Sequence, residues 1–67
     1  MTSHSPSTPA ELSSLATALE ELSRRVTVIA DSYAAAKRDD LASELYQAER
    51  GLSSAQRSLE RVVDAER

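Results

Sequence analysis

Apolar residues in the first half of the chain recur at alternating spacings of three and four. This heptad pattern is typical of helices that pack against other helices. With Leu12 at position a, Leu15 falls at position d, and the pattern predicts a helix over about residues 9–36. The first stripe comprises Leu12, Leu15, Leu19, Leu22, Val26, Ile29 and Tyr33.

Small residues flank this stripe. Ala16, Ser23 and Ala30 occupy position e, while Ala18 and Ser32 occupy position g. Small side chains at these positions let neighbouring helices approach closely, so they favour a bundle over a simple two-stranded coiled coil. Glu20 with Arg24 and Glu21 with Arg25 form two i,i+4 pairs on the outer surface, where each pair contributes about 0.2–0.5 kcal/mol.

The start of this helix carries the strongest local signal. Thr8 suits the N-cap, Pro9 suits the first helical position and Glu11 completes a capping box. Residues 1–7 contain almost nothing to bury, so we expect them to form a disordered tail, with residues 8–67 as the single structural unit. His4 and the Ser-Pro and Thr-Pro pairs here are interpreted as tail and cap.

A second stripe predicts a second helix over about residues 40–65. Its members are Leu41, Leu45, Ala48, Leu52, Ala55, Leu59 and Val62. Gly51 stands beside Leu52 inside this pattern, although glycine costs about 1 kcal/mol relative to alanine in a helix interior. We therefore expect close packing at Gly51.

The two stripes do not share one heptad frame, which predicts a turn at about residues 36–39. Continuing the first frame would place Asp40 at position a, whereas the second stripe needs Leu45 there. A five-residue shift rotates the second stripe by about 140° on one straight helix, so a single helix could not bury both stripes. Lys37 and Arg38 suit a helix C-terminus, and Asp39 or Asp40 could cap the next helix. A continuous bent helix in a longer assembly is the alternative.

A fold at this turn sets a residues of one arm against d residues of the other, for example Leu15 against Leu59. The predicted fold class is all-α: a two-helix antiparallel, coiled-coil-like hairpin. Two layers bury little apolar surface in a chain of 67 residues. We therefore expect two hairpins to complete a four-helix bundle as a homodimer, or a partner protein to supply the helices.

Composition narrows the candidate chemistry. The chain has no cysteine and one histidine, so the sequence offers no nucleophile–base pair or metal-ligand cluster. Asp39-Asp40 is interpreted as a helix cap, and the two tyrosines are interpreted as packing residues. We expect no enzyme activity, cofactor or metal. Without an apolar run of roughly 18–20 residues or a signal-peptide pattern, a cytoplasmic protein without membrane contact is expected.

Two further sets of residues are candidate contacts. Val28, Tyr46 and Val63 lie outside the strict stripes and are possible partner contacts, whereas Arg50, Arg57 and Arg61 form a stripe that could contact nucleic acid. The net charge of −3 and the neighbouring carboxylates disfavour nucleic acid. The leading hypothesis is a small adaptor or regulatory subunit acting through helix packing and self-association. A nucleic-acid-binding hairpin dimer and a purely structural spacer are the alternatives.

Overall fold

The computed structural model describes residues 8–66, which form two helices and no strand. Helix α1 spans Thr8–Ala35 and helix α2 spans Asp39–Ala65. The two helices pack against each other along their length, which confirms the predicted all-α hairpin. At 1.5 Å per residue, each helix is about 40 Å long. The predicted tail at residues 1–7, including His4, lies outside the described residues.

The link between the helices is three residues long and ends α1 in a Schellman motif. The backbone N–H of Arg38 donates to the carbonyl of Tyr33 at 2.8 Å, and that of Lys37 donates to Ala34 at 3.1 Å. Lys37 adopts the left-handed conformation that this motif requires, with φ of 64°. The helix therefore stops through the geometry that glycine usually provides, although lysine occupies the position.

The start of α2 differs from the predicted cap. Arg38 is the N-cap residue, its carbonyl accepts the first helical hydrogen bond from Ala42, and its side chain makes no capping bond. Asp39 and Asp40 lie inside the first turn, so the prediction that one of them caps α2 was wrong. There their negative charges still stabilise the N-terminal end of the helix dipole.

The most buried residues between the helices are small. The buried residues of the described chain are Ala16, Ser23 and Ala30 of α1 and Ala42 of α2. None of them belongs to the two apolar stripes. Each of them occupies position e in its own heptad frame. Because these side chains are short, the helices approach along positions a and e, and the leucine and valine residues at position a are half-buried beside them. The pairing therefore differs from the predicted arrangement of a against d.

Gly51 is not at a close contact within the hairpin. It is exposed, and a Cβ built on it would meet no atom within 4 Å, so the expectation of close packing there was wrong for the single hairpin. Its effect in the isolated chain is to weaken α2, by about 1 kcal/mol relative to alanine.

One of the two predicted i,i+4 ion pairs is present. Arg24 pairs with Glu20 at 3.3 Å and with Glu21 at 2.6 Å, so Glu21 pairs with Arg24 and not with Arg25. The hydrogen bond from Glu21 raises the pKa of Arg24 above its usual value. All three side chains are more than half exposed, and such pairs add little stability.

Candidate interaction surface

Several large apolar side chains are exposed on the surface of the hairpin. Leu15, Leu22 and Ile29, the three large d residues of α1, are 50%, 43% and 51% exposed. Val62, at position d of α2, is 47% exposed, and Val28 is 67% exposed. A two-helix hairpin covers one side of each helix, and these residues lie outside the covered side.

The d positions of both helices lie on the same side of the hairpin. On the opposite side, clefts between the helices are lined by b, e and f positions, which lie roughly 100–150° around the helix from position d. One such cleft is lined by Ser13, Ala16, Thr17, Glu60, Val63 and Asp64. Because both helices present b, e and f to this side, both turn their d stripes to the other.

The open side therefore forms one apolar face, defined by the d stripes and the half-buried a residues between them. Its d residues are Leu15, Leu22 and Ile29 from α1, Ala36 from the link, and Leu41, Ala48, Ala55 and Val62 from α2. Its floor consists of the half-buried a residues Leu12, Leu19, Val26, Leu45, Leu52 and Leu59, and the exposed a residue Tyr33 lies at its link end. All 14 residues of the two predicted stripes belong to this face.

The face is asymmetric in side-chain size. The middle of the α1 stripe carries Leu22 and Ile29, whereas the middle of the α2 stripe carries Ala48 and Ala55, with exposed Gly51 beside them. A shallow groove at the link end is lined by Val28, Ile29, Ser32, Tyr33 and Ala36. The face is thus raised along α1 and low along α2.

The opposite side of the hairpin carries polar side chains and a side-chain hydrogen bond that joins the two helices. Tyr46 of α2 donates its hydroxyl to the Asp31 carboxylate of α1 at 2.5 Å. This hydrogen bond, followed by desolvation and by the negative charge of Asp31, raises the pKa of Tyr46 above its usual value near 10. The bond fixes the two helices relative to each other near the link.

Ser23 is a buried polar residue in the middle of the interface. It is 7% exposed, and its hydroxyl has no hydrogen-bond partner among the described residues. It lines a cleft with Glu20, Thr27, Glu49 and Ser53. A buried hydroxyl without a partner costs free energy, so Ser23 marks a locally unfavourable point in the contact.

The three predicted partner contacts have different environments. Val28 is the most open of the large apolar residues. Tyr46 and Val63 are half-buried: Tyr46 bonds to Asp31, and Val63 lines a cleft against α1. The hydroxyl of Tyr46 therefore contacts the other helix of the same hairpin.

The predicted arginine stripe is exposed along α2. Arg61 donates to Ser58 at 3.1 Å, and among residues 8–66 neither Arg50 nor Arg57 has an ion pair. The nearby carboxylates accept other donors, since Glu49 bonds to Ser53 and Glu60 bonds to Gln56. The three arginine side chains are therefore exposed to solvent.

In the described part of the chain, no group of three or more histidine, cysteine, aspartate or glutamate side chains could hold a metal ion. Neither helix has the length and apolar character needed to cross a bilayer.

No family model, curated protein or solved structure matches this chain.

Proposed function

We propose that the chain is a non-catalytic interaction module whose apolar face packs on other helices, and that two hairpins complete a four-helix bundle in this way. One observation carries the proposal: large aliphatic side chains at heptad spacing stand about half exposed on one side of the hairpin. Continuous apolar surfaces of this kind mark sites of protein association. Heptad spacing suits a helical partner in particular.

The energetics support association through the whole face. Complete burial of a leucine or isoleucine contributes about 1.5–3 kcal/mol, so each half-exposed side chain would add about 1 kcal/mol when covered. Five such residues in two copies, namely Leu15, Leu22, Ile29, Tyr33 and Val62, give roughly 10 kcal/mol. This gain is comparable with the cost of about 4–15 kcal/mol for bringing two molecules together. Association should therefore be sensitive to a single change at the centre of the face.

The experiment replaces Leu22 by glutamine, which has similar length and a polar end. Sedimentation equilibrium across a dilution series measures association, and circular dichroism follows helicity in the same samples. We expect the Leu22→Gln variant to dissociate at least tenfold more readily than the unchanged chain, because an uncompensated amide would be buried in each copy.

The matched control is Ser14→Gln, which places the same side chain at an exposed position of α1 away from the apolar face. It should leave association unchanged. Equal dissociation constants for the Leu22→Gln variant and the unchanged chain would refute the proposed role of the face.

A further inference from the structure

We infer that a second copy of this chain covers the apolar face in one particular orientation, with the two-fold axis parallel to the helices. In this arrangement α1 of each copy lies against α2 of the other, and both links lie at the same end. The inference rests on the proposed self-association and specifies its geometry.

The first support is the complementary size of the two d stripes. Leu15, Leu22 and Ile29 recur every seven residues on α1, and Ala48 and Ala55 recur every seven residues on α2. When α1 faces the second copy's α2, the leucine and isoleucine side chains of α1 pack over the alanines of α2. The two sets match because both recur every seven residues. The two contacts between the copies then contain similar side-chain volumes, as close packing requires.

The other face-to-face arrangement has its two-fold axis perpendicular to the helices. It sets α1 against the second copy's α1, and α2 against the second copy's α2. Leucine and isoleucine would then meet one another in one seam, while Ala48 and Ala55 would meet alanines in the other. The large seam would hold the small seam apart and leave poorly filled space around Gly51.

The second support is the charge at the edge of the face. Arg25 occupies position g of α1 and Glu44 occupies position g of α2, and both are exposed. Among residues 8–66 neither has an ion pair. For Arg25 the reason is that Arg24 pairs with both neighbouring glutamates. With α1 against the second copy's α2, the edge bearing Arg25 meets the edge bearing Glu44. The other arrangement brings the Arg25 side chains of both copies to one seam.

The orientation can be measured with a spin label at Lys37→Cys. The chain has no cysteine of its own, so the label is unique, and Lys37 is exposed in the link. Helices in a bundle pack about 8–10 Å apart, so links at the same end would place the labels within about 30 Å. Links at opposite ends would lie about 40 Å or more apart, the length of one helix.

Pulsed dipolar spectroscopy on the dimer should give the short distance. A matched sample mixes chains labelled at Lys37→Cys with chains labelled at Glu66→Cys, and should add a distance of about 40 Å or more between the two sites. A long distance between Lys37→Cys labels in a dimer that Leu22→Gln disrupts would overturn the orientation and leave the proposed function intact. A monomer without intermolecular coupling would overturn the second copy as occupant.

Charge exchange gives an independent readout. Arg25→Glu should weaken association several-fold, and adding Glu44→Arg in the same chain should restore it, since each seam then regains opposite charges. Failure of the double variant to restore association, with helicity unchanged, would contradict the proposed seam.

Discussion

Replacing Lys37 by glycine should stabilise the hairpin, because this residue adopts a conformation that glycine adopts without strain. Lys37 has φ of 64°, and the backbone hydrogen bonds from Lys37 and Arg38 to the last turn of α1 depend on this conformation. For a residue with a Cβ, the left-handed region costs about 1–2 kcal/mol. The sequence therefore carries a correctable strain at the point where the chain turns.

The expected gain is smaller than the full strain. Glycine also makes the unfolded chain more flexible, which offsets about 0.4–1 kcal/mol of the benefit. We expect a net stabilisation of about 0.5–1 kcal/mol from the difference between these two contributions. For a domain of this size, the gain corresponds to a rise in Tm of about 2–8 °C.

The assay is thermal and urea unfolding followed by circular dichroism at one fixed protein concentration, since association also changes apparent stability. Lys37→Ala is the control, because it removes the lysine charge near the C-terminus of α1 and retains the Cβ. The glycine variant should unfold at a higher midpoint than the alanine variant. Equal midpoints for the two variants would refute the assignment of strain to the left-handed conformation.

Two further predictions concern the contact between the helices. Ser23→Ala should raise the free energy of unfolding by about 1 kcal/mol in urea titrations, because it removes a buried hydroxyl without a partner; a gain no larger than that of exposed Ser54→Ala would contradict this. Tyr46→Phe should destabilise the hairpin below pH 10. Since the folded pKa of Tyr46 is raised, its stabilising effect is complete below the unfolded pKa near 10 and is lost as pH rises through the folded value. Unfolding midpoints of both proteins from pH 7 to 11 should therefore converge at high pH, and a constant difference would show that the bond to Asp31 does not contribute.

The sequence by itself predicted the two helices and the region of the turn. Both follow from local information: heptad spacing identifies each helix, and the five-residue shift between the stripes excludes one straight helix that buries both. Most of the apolar face could also be predicted from the sequence, because every member except Ala36 belongs to one of the two stripes. The heptad spacing of each stripe predicts these residues without knowledge of how the two helices pack.

Other features involve residues whose relation is not visible along the chain. The bond between Asp31 and Tyr46 joins two helices at a separation of 15 residues. The left-handed conformation of Lys37 carries no composition signal, because lysine stands where glycine is usual. The small residues at position e were noticed in the sequence, yet the large residues of the stripe were expected at the centre of the contact.

The tertiary structure alone decided which part of each broad apolar stripe turns inward. A hairpin offers each helix one neighbour, so the contact covers positions a and e, where Ala16, Ala30 and Ala42 let the helices approach closely. Leu15, Leu22 and Ile29 at position d of α1 then remain exposed. Heptad spacing places all these residues on one broad side of a helix, but the depth at which each is buried depends on how closely the second helix can approach.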